Sequence, residues 1–363
     1  MRRIMWSVLT SGRYGYLADY LVWTTLLLSV AANAVLFFRF ARRNPQSRRR
    51  LIVGNLLVLA TLLSAVAWIG ETYFRFMRIS TDSFGVTLPA QRWFQRYVLL
   101  NSWGCRDREW LATPPVNVRR ILVLGDSFAW GWGVERLEDR VGERLAVGLR
   151  QVWRAPVECM TLAQPGWDTG DQLDPLRAAL DAFRVDEVIL IHVPNDIERL
   201  LPVRRDFDPK RPPRCAWFNS DASALFEHLY YHVYLPRVPT VSGFHDWLAD
   251  GYADPQTWTA QQERLRVLVD ASRAKQIPFR VALFPFLRTG GTRFDGERIA
   301  RMHAAFFESI GVPVVDLRPA LGTRPAGELI VSPRDAHPNA EAHALAADAI
   351  LDAFYARPAT DNP

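Results

Sequence analysis

Residues 120–128 read Arg-Ile-Leu-Val-Leu-Gly-Asp-Ser-Phe, with Gly131 and Gly133 close behind. Residues 120–125 form a short apolar run that ends in glycine, the pattern of a strand covered on both faces of a parallel sheet. Four similar runs follow, at 156–162, 187–193, 279–284 and 312–316. Helix-like stretches separate them near 135–150, 171–184, 258–275 and 295–310, and a last one covers 339–356. Five strands alternating with helices predict a three-layer α/β/α domain, built on a five-stranded parallel sheet with right-handed crossovers.

Ser127 then falls at the C-terminal end of the first strand, entering a helical stretch, which is where open α/β sheets place ligands. Backbone N–H groups and the helix dipole at such a point favour a developing oxyanion. The third strand ends in His192-Val193-Pro194-Asn195-Asp196, which brings an asparagine to the same sheet edge. Just before the last helix comes Asp335-Ala336-His337-Pro338-Asn339, read as a loop. A serine needs a base to take its proton, and the base needs a carboxylate to fix its tautomer. Each fragment also has an ordinary reading, as an N-cap serine, a turn Asn-Asp or a loop histidine. Their order and their shared position at one edge set them apart from chance.

These blocks resemble the SGNH/GDSL hydrolase family over about residues 118–357. Gly125-Asp126-Ser127-Phe128, continuing through Gly131-Trp132-Gly133-Val134, matches the nucleophile block. Gly166 in Gln164-Pro165-Gly166-Trp167 matches the glycine block, Asn195-Asp196 the asparagine block, and Asp335 with His337 the acid–base block. The resemblance implies a flavodoxin-like fold with Ser127 as nucleophile, His337 as general base and Asp335 as its orienting carboxylate. It further implies an oxyanion hole from the N–H groups of Ser127 and Gly166 and the Asn195 amide, with Asp126 and Asp196 in support and neither metal nor cofactor. The sequence departs from the family pattern in three places. Pro194 replaces the usual glycine before Asn195, one residue rather than two separates Asp335 from His337, and Thr161 stands where an asparagine is common. The short Asp–His spacing is shared with members that modify exopolysaccharides.

Outward from this core, charge is partitioned unevenly. The 363 residues carry a formal charge of +6. Residues 1–80 hold eleven arginines against Asp19 and Glu71, a balance of +9, and residues 81–363 carry 33 basic and 36 acidic groups, a balance of −3. A nucleic-acid-binding body would be basic itself, so no nucleic-acid partner is expected. Two uncharged apolar runs occupy the N-terminal segment, 20–38 and 51–70. At about 1.5 Å per residue each is long enough to cross a bilayer core of roughly 30 Å as a helix. Tyr20, Trp23, Trp68 and Tyr73 lie near the ends of these runs, where amphipathic rings favour the membrane interface.

The connector at 39–50 holds Arg39, Arg42, Arg43, Arg48, Arg49 and Arg50, against Arg2, Arg3 and Arg13 before the hairpin and Arg75 and Arg78 after it. The positive-inside rule puts the connector in the cytoplasm and everything beyond residue 71 outside. In a bacterial inner membrane that side is the periplasm.

Residues 1–70 are thus expected to form a membrane hairpin, 71–115 a stem containing Asn-Ser-Trp-Gly-Cys-Arg-Asp-Arg-Glu-Trp at 101–110, and 116–363 the hydrolase domain. An insertion at about 197–258 is rich in proline and then in aromatics, among them Trp217, Tyr230, Tyr231, Tyr234, Trp247 and Trp258. It reads as a helical excursion with its own small core, or as a lid or sugar platform. Cys105, Cys159 and Cys215 are too few for a disulfide framework or zinc site, although a bridge between Cys105 and Cys215 is left open.

The expected function is a membrane-anchored serine esterase acting on acyl, first of all O-acetyl, esters of an envelope or exported glycan. Its partners would be that acylated glycan, the lipid bilayer and a membrane component of a polysaccharide machinery. The alternatives are an O-acetyltransferase using the same acyl-enzyme and a catalytically silent scaffold in a polysaccharide assembly complex. A lipase or thioesterase also fits, since fold does not specify the acyl group.

Overall fold

The computed structural model describes residues 15–42, 47–83, 85, 87–202 and 223–355. They form two compact units, one of residues 15–96 with 223–238, the other of 97–202 with 239–355. Arg2, Arg3, Arg13, Arg43, Cys215 and Trp217 lie outside the described residues.

In the first unit, helices α1 (Gly15–Ala41) and α2 (Arg48–Thr72) pack as a hairpin, and both are long and apolar enough to cross a membrane. Both outrun the apolar stretches read from sequence, because polar flanking residues, Arg39 and Arg48 to Arg50 among them, continue a helix at no steric cost. At the end away from the connector, the Tyr20 hydroxyl lies 2.9 Å from Thr72 Oγ1 and the Trp68 indole donates to Thr24 Oγ1 at 3.0 Å. A π-helical turn, Tyr73–Met77, follows α2 directly. Helix α3 (Leu88–Tyr97) comes next.

The second unit holds a parallel sheet of β1 (Arg119–Gly125), β2 (Val157–Ala163), β3 (Glu187–His192), β4 (Phe279–Leu283) and β5 (Val314–Asp316), in the order β2-β1-β3-β4-β5. Four of the apolar runs form strands whose residues are almost all buried on both faces, and the fifth, β5 at the sheet edge, is half-buried. Leu122, Leu124, Val188, Leu190, Val281 and Leu283 point to one face. There they meet α5 (Thr169–Ala182), α7 (Pro255–Arg273) and α8 (Gly296–Ser309). Helices α4 (Val141–Trp153) and α9 (Ala340–Tyr355) pack against each other. Since β1 lies between β2 and β3, the chain leaves its C-terminal end toward one side and returns on the other. That is the topological switch point at which such sheets open a crevice.

Three features differ from the sequence reading. Asp335 and His337 sit on a strand, β7 (Asp335–Pro338), paired antiparallel with β6 (Ile330–Ser332), rather than on a loop. Strands of three or four residues are too short to show a period. The 197–258 insertion is divided: 223–238 belongs to the first unit, whereas α6 (Phe244–Ala253) packs Leu248 and Tyr252 against Ile197, Leu201 and Ile299 of the second. The stem is divided too, for residues 97–115 belong with the sheet.

Gly125 is where β1 must be narrow. A Cβ there would stand 2.7 Å from Ala129 Cβ and 3.1 Å from the Ile191 carbonyl oxygen. Both obstacles are rigid. Gly125→Ala is therefore expected to destabilise the protein by about 1–3 kcal/mol, the usual cost of overpacking, read as a lowered denaturation midpoint.

Candidate active site

Ser127 opens a single helical turn, Ser127–Trp130, at the end of β1. The turn starts there because the Asp126 carboxylate caps it, accepting from Phe128 N at 2.8 Å, and it stops at Gly131, whose φ of 78° ends the helix. The first N–H groups of a helix have no intrahelical acceptor, so the turn itself does not use the Ser127 N–H.

The His337 ring reaches this serine from β7, with Nε2 3.0 Å from Ser127 Oγ. On its other side, His337 Nδ1 lies 2.6 Å from Asp335 Oδ1. With the carboxylate accepting from Nδ1–H, Nε2 carries the lone pair and the serine hydroxyl donates to it. Asp335 is fully buried, and its second oxygen accepts from the Trp132 indole at 3.1 Å. Trp132 also stacks on the imidazole, ring centres 5.3 Å apart, and Phe128 stands at 5.5 Å.

The nucleophile block singled out Trp132 only as part of a glycine-spaced string. Its contact with Asp335 could not have been found there, because it spans 203 residues.

The other six histidines are differently placed. Burial pushes His192 and His343 down to about 3 and holds His303 well below its usual value. All three are neutral fixtures of the core. A second His–Asp pair does exist, His192 Nδ1 lying 2.8 Å from Asp196 Oδ2, but both side chains are sealed off, at 2% and 0% exposure. Burial also pushes the Asp196 carboxyl well up. Asp196 serves the loop after β3, accepting from Val193 N at 3.0 Å.

Asn195 sits half-buried on that loop. Its Nδ2 makes a long contact to Asp126 Oδ2, 3.5 Å, its amide also faces the Glu198 carboxyl, and its Oδ1 has no hydrogen-bond partner. A weak bond of that length leaves the amide free to turn toward a better acceptor. Burial pushes the Asp126 and Glu198 carboxyls each up to about 7, so two partly protonated acids flank this amide near neutrality. Glu198, half-buried, was not singled out from the sequence, since nothing local marks a surface-type glutamate as facing the site.

Gly166 lies exposed in the turn after β2, with φ of 77°, and a Cβ there would meet nothing within 4 Å. Among the described residues no hydrogen bond joins it directly to Ser127 or Asn195. Its loop is nevertheless tied to the Asn195 loop, because Thr169 N donates to the Asp196 carbonyl at 3.1 Å and Arg199 N to Asp168 Oδ2 at 3.1 Å. Pro194, the departure from the family pattern, is held by the Tyr252 hydroxyl on its carbonyl at 2.8 Å.

A second layer comes from residues 101–110. Arg106, fully buried, donates to the carbonyls of Gly131 at 2.7 Å and Val134 at 2.6 Å and lies over the Trp130 ring. Asp107 faces Arg140 at 3.3 Å and accepts from Thr161 N at 2.7 Å. The former stem therefore braces the loop that carries Trp132. Burial, with Arg140 nearby, pulls Arg106 down to about 9. Cys105 and Cys159 are both buried, and burial pushes the Cys159 thiol up.

Beside the site, a cleft of about 320 Å³ opens at the ends of β4 and β5, walled by Phe284, Phe286, Phe294 and Ile299 with Glu297 and Arg318 among its polar groups. The Phe128 ring stands 5.2 Å from that of Phe284 and 6.3 Å from that of Phe286.

No curated protein matches this sequence. Solved structures similar to the chain include a lipolytic G-D-S-L family protein from Veillonella parvula DSM 2008, at 13% identity over 65% of this chain and 98% of that one, TM-score 0.41. Others are the psychrotrophic esterase EstA from Pseudoalteromonas sp., at 15% identity over 65% and 96%, TM-score 0.40, and an acetylxylan esterase from Geobacillus stearothermophilus, at 15% over 64% and 92%, TM-score 0.40. The profile of the GDSL-like lipase/acylhydrolase family matches residues 123–345. That span runs from within β1 to within α9 and takes in Ser127, Gly166, Asn195, Asp335 and His337, so the chain belongs to the GDSL-like lipase/acylhydrolase family.

Proposed function

We propose that this ester hydrolase is a membrane-anchored serine esterase that removes acyl, foremost O-acetyl, groups from an envelope or exported glycan on the outer side of the membrane. The observation that carries the chemistry is the relay Asp335–His337–Ser127, at 2.6 and 3.0 Å. Ser127 Oγ attacks the ester carbonyl carbon while His337 Nε2 takes its proton. The resulting oxyanion is met by the Ser127 N–H, the Gly166 N–H and the Asn195 amide. On collapse the alcohol leaves, protonated by the His337 imidazolium, and the acyl group stays on Ser127. Water then attacks the acyl-enzyme with His337 again as base, releasing the acid and restoring the serine. Asp335 holds the imidazole in the reactive tautomer and offsets its transient charge.

The setting is argued from the hairpin. Its arginine-rich connector favours the cytoplasm, which puts the catalytic unit outside, where the ester substrates on offer are those of envelope and exported polymers. The aromatic-walled cleft beside Phe128 suits the apolar face of a sugar ring.

Ser127→Ala in the purified full chain is expected to lower kcat on small acetyl esters and acetylated glycan by about 10⁴ or more. Its melting temperature should stay near that of the unmodified protein. Equal turnover by both proteins would remove Ser127 from the mechanism. Acetyl release from simple esters but never from glycan would overturn the glycan assignment alone.

Trp132→Phe keeps the ring stacked on His337 but withdraws the indole donor from a buried carboxylate. Leaving that oxygen short of a donor costs about 1–3 kcal/mol, so kcat should fall about tenfold or more with KM nearly unchanged. An unaltered kcat would show that Asp335 does not depend on this bond.

Asn195→Ala should lower kcat by roughly 10²–10³ with a much smaller change in KM, as for loss of one donor acting mainly in the transition state. A destabilised variant with near-normal kcat would instead mark Asn195 as a turn residue.

A further inference from the structure

Residues 223–238 follow the membrane hairpin by 150 positions and lie in sequence between β3 and β4, yet they pack on the hairpin. Glu71, at the end of α2, is the anchor. Its carboxylate accepts from the Ser223 hydroxyl at 2.6 Å and from the backbone N–H of Ala224 and Leu225 at 3.0 and 2.9 Å, with Arg75 beside it at 2.5 Å. Glu71 thereby caps the short helix Ala224–Leu229 from another part of the chain. The same segment sets Leu225 against Gly70, Phe226 against Trp23 with ring centres 5.5 Å apart, and His228 flat on Phe74 at 3.8 Å. A buried carboxylate with this many donors fixes the segment firmly, since an unpaired charge there would be costly.

What the segment touches gives its level. Tyr20, Trp23, Trp68 and Tyr73 cluster at the end of the hairpin away from the arginine connector, in the position of an interfacial aromatic belt. Phe226 docks on that belt. From there the chain runs on through a π-helical turn, Tyr230–Tyr234, to Arg237. Along this run Leu229 is 40% exposed, Val233 44% and Tyr234 57%, positions that the wider π-helical turn brings toward one side. Phe76, Met77 and Ile79 are exposed as well in the turn after α2.

We propose that residues 224–237 lie in the plane of the outer membrane interface, with Leu229, Val233 and Tyr234 among the lipids at the boundary of headgroup and acyl chain. The occupant of this apolar face is phospholipid, because the face is continuous with the lipid-facing surface of the hairpin and its composition, tyrosines with leucine and valine, is that of an interfacial segment. The inference rests on the membrane anchoring proposed above. It makes the segment a third attachment to the bilayer, carried by the sequence between the catalytic strands and independent of the chemistry of Ser127.

The test uses the full chain in nanodiscs of phosphatidylethanolamine and phosphatidylglycerol, with p-benzoylphenylalanine placed singly at Leu62, Leu229, Val233 or Glu263. After irradiation, mass spectrometry reads phospholipid adducts. Leu62 lies mid-span and reports the anchor, and Glu263 lies on α7 of the catalytic unit. Adduct yields at Leu229 and Val233 comparable to Leu62, and roughly tenfold or more above Glu263, are expected for side chains buried at the acyl boundary. Adducts at Leu62 with none at either segment position would overturn the interfacial placement and leave the anchor standing. Absence at Leu62 as well would overturn both. Crosslinks from Val233 to a second copy of the chain, in place of lipid, would make this face a protein interface and also overturn the proposal.

Discussion

A buried carboxylate organises this molecule. Asp335 has no exposure to water, so its two oxygens must find donors within the protein. One faces His337 Nδ1 on its own strand and the other takes the Trp132 indole from the loop after β1. Meeting that requirement pins the β6–β7 hairpin, near the end of the chain, over the first strand of the sheet. The same pair of bonds fixes the imidazole with Nε2 toward Ser127. The geometry on which the proposed chemistry depends is thus a consequence of satisfying one desolvated charge.

The loop that supplies Trp132 needs support of its own, because Gly131 and Gly133 both have positive φ and leave it little side-chain packing. That support comes from Arg106, whose guanidinium gathers the carbonyls of Gly131, Val134 and Glu135, and from Arg140 and Asp107. An arginine sunk this deep is held because its two terminal nitrogens donate to backbone oxygens and its plane lies over Trp130. On the opposite flank the Gly166 and Asn195 loops are joined through Asp168, Thr169 and Asp196, so the groups assigned to the oxyanion are held as one piece. Tyr252, from the part of the insertion that stays with the sheet, completes this by gripping the Pro194 carbonyl.

Two kinds of burial therefore coexist. In the sheet unit, charge is buried to hold a site. In the hairpin unit, Glu71 and Arg75 are buried to bring a distant segment, 223–238, onto the ends of two apolar helices. Both use the same physics, a carboxylate removed from water and surrounded by donors, and both join residues far apart in sequence.

The sequence alone determined the parts that local pattern encodes. Five apolar runs became the five strands, because a strand covered on both faces must be apolar throughout. The helix-like stretches between them were legible as well, and the two N-terminal runs from length and composition. Ser127, Asn195, Asp335 and His337 were readable as candidates from their places at strand ends and before the last helix. Only the tertiary structure decided what depends on distant partners. Strands as short as β6 and β7 carry no period, so the hairpin under His337 was invisible. Charged residues read as solvated, so Arg106 and Asp107 gave no sign that they would be buried beside the site. An aromatic segment advertises that it will bury something but not against what, so the split of the insertion between two units could not be foreseen. Periodicity reports which face of an element is apolar; which other element covers that face is settled by contacts across hundreds of residues, and no local signal encodes them.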